Sequence, residues 1–142
     1  MALSLRVAVL LLAAVVLGLA MTSTAFKISP ERPRLMGEME DADINDEEVQ
    51  YVVDFTIKEY NKNSKDENLS RLVRVVRARQ QIGMGMNYYL DLEMGRTTCT
   101  KSQSNQEDCP FTEEQKQLCS FVVNFRAWEY YIHLDSSSCR SV

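Results

Sequence analysis

Apolar and polar positions change their period along this chain, and each change marks an element. Val49, Val52, Val53, Ile57 and Tyr60 recur every three or four residues, which predicts one amphipathic helix. Asn45 is placed to cap it, with Glu48 three residues on completing a capping box. Asp46, Glu47 and Glu48 suit the positive end of the helix dipole and Lys58 and Lys62 the negative end. The polar run Asn61 to Asn68 ends the helix. Beyond it the repeat becomes two. Leu72 to Gln81 reads as a strand, with a bulge where Val75 and Val76 break alternation. Tyr88, Leu90, Leu92 and Met94 alternate with Tyr89, Asp91 and Glu93. Cys119, Phe121, Val123 and Phe125 form a third row, and Tyr130, Ile132 and Leu134 a last one. The turns are then Ile82 to Met86, the loop Thr100 to Leu118, and Arg126-Ala127-Trp128-Glu129. A helix followed by four strands in hairpin order predicts an α+β domain over 44–142, one long helix on an antiparallel sheet.

Upstream the pattern differs. Val7 to Ala20 is an almost unbroken apolar run behind Arg6, and Ser23 and Ala25 occupy the −3 and −1 positions of a cut before Phe26. Residues 1–25 therefore read as a secretory signal peptide. The alternative, a membrane anchor, is short of the roughly 20 apolar residues that span a bilayer. Residues 26–43 hold two of the three prolines and no periodic pattern, so they are expected to be an extended, mobile arm. The full chain carries a net charge of −4, and loss of Arg6 makes the mature chain slightly more acidic. With no clustered basic face, neither nucleic acid nor a membrane surface is an expected partner.

Cys99, Cys109, Cys119 and Cys139 lie behind that leader, a usage that fits an oxidising extracellular compartment. Four cysteines allow three pairings. The sequential one, Cys99–Cys109 with Cys119–Cys139, suits the strand layout best, and each closed loop would contribute roughly 3 kcal/mol by chain-entropy arithmetic. Spacings of 9, 9 and 19 intervening residues lack the short CxxC pairs of zinc sites. No metal or cofactor is expected. Catalysis is hard to build as well. The single histidine, His133, falls on the alternate face of the last strand, every cysteine has a candidate partner, and no nucleotide or metalloprotease motif occurs. Asn68-Leu69-Ser70 is a glycosylation sequon in a polar segment of a secreted chain, which makes Asn68 the expected acceptor.

Three apolar features sit where folding alone favours polar residues. Met84 and Met86 lie in the glycine-rich turn Gln81-Ile82-Gly83-Met84-Gly85-Met86. Trp128 occupies the bend between the last two strands, and Leu35 and Met36 precede Gly37 on the arm. In an open antiparallel sheet the two hairpin turns fall at one end, and the arm can reach it. A row of apolar tips suits insertion into a groove.

Glu59-Tyr60-Asn61-Lys62, Val75-Val76-Arg77-Ala78-Arg79, Asn87-Tyr88-Tyr89, Gly95-Arg96-Thr97-Thr98-Cys99-Thr100-Lys101 and Cys109-Pro110-Phe111 together resemble the type 2, secreted cystatins. The resemblance covers nearly all of the mature chain. It implies a long helix gripped by a curled antiparallel sheet, sequential disulfides, and reversible inhibition of papain-like cysteine proteases of the cathepsin type. It also implies a protein that is mostly monomeric, with domain-swapped dimerisation through the first hairpin as a family variant. The inhibitory wedge would comprise Leu35, Met36 and Gly37, then Gln81, Ile82, Gly83, Met84 and Gly85, then Ala127 and Trp128.

The chain departs from the family pattern at two of those positions. The central valine of the family's Gln-x-Val-x-Gly is Gly83 here, and the proline before the tryptophan is Ala127. A fully buried valine would contribute about 1.5–3 kcal/mol, and the proline up to about 1 kcal/mol through lower loop entropy. Such losses set the alternative reading, a secreted binding protein of this fold with weak or lost inhibition. The family's legumain-binding Ser-Asn-Asp appears as Ser64-Lys65-Asp66, so that second activity is not expected.

Overall fold

A computed structural model of the chain describes residues 37–103 and 108–142. The expected leader and the part of the arm up to residue 36, with Leu35 and Met36, lie outside the described residues.

The described chain is one helix on a five-stranded antiparallel sheet. The elements are β1 (Met39–Asp41), α1 (Glu47–Asn63), β2 (Asn68–Gly83), β3 (Gly85–Thr100), β4 (Gln117–Arg126), a 3₁₀ turn (Ala127–Glu129) and β5 (Tyr131–Ser141). Strand order follows chain order throughout. β1 adds a strand to the four read from the sequence. It is too short to show a period of its own, and forms because Met39, Glu40 and Asp41 pair with Gln81, Gln80 and Arg79 along the free edge of β2.

Helix α1 begins one residue later than Asn45 predicts. Asp46 has extended backbone angles and its carboxylate accepts the Glu48 N–H at 2.8 Å, so Asp46 is the cap. Asn45 is used in the turn before it, donating its own N–H to the Asp43 carboxylate at 2.9 Å. The Glu48 side chain does not reach back to close a capping box. It accepts the Tyr88 hydroxyl at 2.5 Å instead. Burial and that carboxylate together push the Tyr88 hydroxyl well above the usual phenol range. At the far end Asn61 donates to the Ser70 carbonyl and accepts the Ser70 N–H, both at 2.8 Å, which fixes the helix exit on β2.

The helix stripe packs on the predicted alternating rows. Val49, Val52 and Val53 are buried against Ala78, Tyr88, Leu90, Leu92, Met94, Cys119, Phe121 and Val123, and Ile57 and Tyr60 close the edges of this core. Each fully buried aliphatic side chain contributes about 1.5–3 kcal/mol relative to leaving it in water. Thr56 continues the buried stripe because its hydroxyl returns to the Val52 carbonyl at 2.7 Å. In β2 a register shift between Val75 and Arg77 leaves Val76 exposed, which is the break in alternation read from the sequence. Two further shifts, at Asn68/Ser70 and Leu72/Arg74, let β2 begin four residues before Leu72 and stay paired with β3 as the sheet bends.

The last predicted row is only partly realised. Ile132 and Leu134 pack on the core, but Tyr130 lies outside β5 and is 98% exposed. The 3₁₀ turn reverses the chain there and leaves Tyr130 in the left-handed region at φ 50°, its N–H on the Ala127 carbonyl at 3.3 Å.

Two disulfides join Cys99 to Cys109 and Cys119 to Cys139. The second bridges partners directly opposite in the β4–β5 ladder. The first holds the loop after β3, whose Phe111 bridges back to Thr97.

Candidate functional site

Residues from the arm, the first hairpin and the second turn meet at one edge of the sheet. The register alone brings the two turns together: Met86 at the start of β3 faces Phe125 near the end of β4, and Arg126 faces Tyr131. Side chains and backbone then lock each part in place.

Gly37 is tied directly to the first hairpin. Its N–H donates to the Ile82 carbonyl at 2.9 Å, and the Gln81 amide donates to the Gly37 carbonyl at 2.7 Å. Gln81 is itself oriented by the Tyr89 hydroxyl, which donates to its side-chain oxygen at 3.0 Å. Gly37 has φ +88° with open space where a Cβ would stand. Its need for glycine is therefore one of backbone angle, not room.

The two glycines of the hairpin differ. Gly85 has φ +81°, and a Cβ there would lie 2.4 Å from the Phe125 carbonyl oxygen and 2.7 Å from Arg126 Cγ. Gly85 is the close-approach point at which hairpin one rests on the strand that leads into turn two. Gly83 has no such demand, since its nearest atom would be Asn87 Nδ2 at an ordinary 3.5 Å. Between them Met84 stands 69% exposed, and beyond them Trp128 stands 64% exposed on the 3₁₀ turn beside exposed Ala127.

A polar cluster that the sequence reading passed over holds this edge together. Asn124 is 8% exposed, and its amide donates to the Met84 carbonyl at 3.1 Å and to Asn87 Oδ1 at 2.7 Å. Its own oxygen accepts Arg126 Nε at 3.0 Å, and Arg126 reaches Glu129 in the turn at 3.4 Å. The tip of hairpin one is thereby joined through β4 to the turn that carries Trp128. Asn124 sits on the alternate face of its row, so its position alone reads as solvent-facing. No local signal marks it, because Asn87 and Asn124 become direct neighbours only through the β3–β4 register.

Among the described residues, the charged side chains named at this edge are Arg126 and Glu129, which pair with each other and brace the turn. His133 is exposed, stacked beside Tyr131 at 6.2 Å and 2.8 Å from Asp135. Among the described residues no group of three His, Cys, Asp or Glu side chains is placed to hold a metal ion, and no helix is long and apolar enough to cross a membrane. The edge presents apolar side chains on a constrained backbone. Such a surface is suited to filling a cleft rather than to making or breaking bonds.

The opposite end carries the sequon and the loop after the helix. Asn68 opens β2, half-buried, with its amide on the Thr97 carbonyl at 2.8 Å. Lys65 lies in the turn after α1, where Asp66 accepts Arg96 Nε at 2.8 Å and a second guanidinium hydrogen bond at 3.2 Å. That guanidinium, with the Asn68 N–H, holds the Asp66 carboxyl below its usual range.

Residues 37–128 match the family described as the Cystatin domain. The chain belongs to the cystatin family. It is similar to rat Cystatin-C (Rattus norvegicus), 48% identical over 145 residues and covering 99% of each chain, and to mouse Cystatin-C (Mus musculus), 46% identical over 128 residues, 87% of this chain and 91% of the other. Human Cystatin-SA (Homo sapiens) is 48% identical over 128 residues, 86% of this chain and 91% of the other. Among solved structures, the crystal structure of Al-CPI is similar at a TM-score of 0.68 and 25% identity, covering 75% of this chain and all of that one. Dimeric human cystatin F is similar at a TM-score of 0.66 and 25% identity, covering 84% of this chain and 97% of that one. Cystatins are not enzymes, and neither is this chain. The helix on a five-stranded antiparallel sheet is the cystatin fold, as the sequence resemblance implied.

Proposed function

We propose that this cystatin is a secreted, reversible inhibitor of papain-like cysteine endopeptidases, acting through the edge formed by Gly37, hairpin one and the Ala127–Trp128 turn. The proposal includes Leu35 and Met36, which precede Gly37 in the chain. The observation that carries the reading is the convergence of three exposed apolar or glycine features whose only shared property is their place at one edge. Gly37 is hydrogen-bonded to Ile82 and Gln81, Gly85 rests on Phe125, and Asn124 grips the Met84 carbonyl. A backbone held by so many contacts loses little further entropy on binding. Met84 and Trp128 then supply the apolar area that the cleft desolvates, and no peptide bond is presented to the protease for cleavage.

The experiment is a titration of papain with the purified mature protein. Reversible inhibition below micromolar concentration is expected. Its absence overturns the reading and leaves the second one, a secreted cystatin that binds some other partner. Gly83 favours that second reading, because the fold would accommodate a Cβ there and its absence is not a packing requirement.

Secretion through a signal peptide ending at Ala25 and a glycan on Asn68 belong to the same proposal. Asn68 Nδ2 keeps one N–H after glycosylation, enough for its bond to Thr97. Digestion with a glycosidase specific for N-linked chains is expected to shift the secreted protein on a gel, and Asn68→Gln to abolish the shift.

A further inference from the structure

Met84 is isolated at the tip of hairpin one. Its neighbours along the chain, Gly83 and Gly85, carry no side chains to cover its thioether, and Met84 is 69% exposed. Asn124 holds the Met84 carbonyl from within the sheet, 3.1 Å away, so the tip backbone is anchored. The other described methionines are more sheltered. Met39 is 37% exposed within β1, Met86 packs against the core, and Met94 lies inside it at 2%. Within Gly83-Met84-Gly85, Met84 offers the only side chain for a cleft to contact.

We propose that Met84 is a site of reversible oxidation by hydrogen peroxide or an organic hydroperoxide, and that its sulfoxide switches off the inhibitory edge. The consequence for inhibition rests on the protease-binding reading of that edge; the modification itself does not. A sulfur lone pair attacks the terminal peroxide oxygen, an S–O bond forms and the O–O bond breaks. Sulfur is oxidised by two electrons while the peroxide is reduced to water or an alcohol, and the protein gains one oxygen atom. The product is a polar, chiral side chain with a strong hydrogen-bond acceptor. It would have to be stripped of water to occupy an apolar subsite, which opposes binding. Because Met84 makes no part of the core, its oxidation removes binding without unfolding the domain. Oxidation of Met94 would do the reverse, disrupting the core first.

The test is a peroxide titration of the folded protein, followed by peptide mapping, papain inhibition and thermal melting on the same samples. Met84 sulfoxide is expected to form ahead of oxidation at Met39, Met86 or Met94. The papain inhibition constant is expected to rise by about tenfold or more at unchanged Tm. Methionine sulfoxide reductases A and B, which act on opposite epimers, are expected to restore it. Met84→Leu should hold its own untreated inhibition constant through the same treatment, whereas Met36→Leu should lose inhibition as the wild type does. Oxidation of Met39 or Met86 before Met84 overturns the site. Equal losses in Met84→Leu and wild type, or full Met84 oxidation at constant inhibition, overturn the switch. If the untreated protein does not inhibit papain, the protease-binding reading and the switch fail together, while the order of oxidation is read by mass alone and still decides the site.

Discussion

The two ends of the sheet are built by opposite means. At the hairpin end, glycines at 37 and 85 take positive φ and bring backbones together, while Met84 and Trp128 stand in solvent. At the far end side chains close on one another. The Cys99–Cys109 disulfide holds the loop, Phe111 packs on Gly95 with Arg71 over its ring, and Arg96 joins Asp66 to Glu114. One end keeps apolar surface exposed on a fixed scaffold, and the other leaves few such groups unmatched. On the binding role proposed for the hairpin end, stability and binding are separated in space. Substitutions at the two ends should move different measurements.

The largest effect is expected from Gly85→Val. Its Cβ would meet the Phe125 carbonyl at 2.4 Å, and φ +81° is unfavourable for a branched residue. Hairpin one must shift, and papain inhibition should fall by about a hundredfold or more, near 2.7 kcal/mol. Trp128→Ala comes next. It removes an exposed indole that binding would bury, so inhibition should weaken by about 2 kcal/mol or more. Its Tm should stay unchanged, because Trp128 is not in the core. Equal losses in Tm and inhibition would break the separation between the ends.

Gly83→Val carries the opposite sign. The position has ordinary space for a Cβ, with Asn87 Nδ2 at 3.5 Å, and no positive φ. The added side chain should tighten papain inhibition by about 1 kcal/mol, a partial share of a buried valine. Weaker inhibition would mean that Gly83 lets the backbone approach the cleft in a way valine prevents.

The smallest effect belongs to the far end and depends on pH. The Arg96 guanidinium, and then the Asn68 N–H, lower the Asp66 carboxyl in the folded state. A lowered folded value contributes stability that is present above the ordinary carboxylate value of 3.8 and is lost as pH falls through the folded value. Asp66→Asn should therefore lower Tm slightly at pH 7, and the difference from wild type should shrink below pH 3.8. The effect is small because the pair is partly exposed to solvent. Papain inhibition at pH 7 should be unchanged.

Much of the fold was legible in the chain because periodicity is a local property. The valine stripe of α1 and the rows Tyr88 to Met94 and Cys119 to Val123 each needed only near neighbours to be read, and each is buried as its period implied. The candidate site was proposed from residue types, two glycine-bearing segments and a lone tryptophan, because exposed apolar residues in turns conflict with folding alone. The cap was misassigned by one residue, since Asn45 and Asp46 are equally good cap types. Only the turn around Asp43 selects between them.

The sequence by itself thus determined the helix, four of the five strands, their order and the family, and it named the candidate wedge residues. Tertiary structure alone decided how those parts are held. That Met39 pairs with Gln81, that Gly37 bonds to Ile82, and that Asn124 reaches the Met84 carbonyl are contacts across about forty residues of chain. They exist only once the strand register is set. A hydrogen bond between distant residues leaves no period in the sequence, because its partners come together through the packing of everything between them.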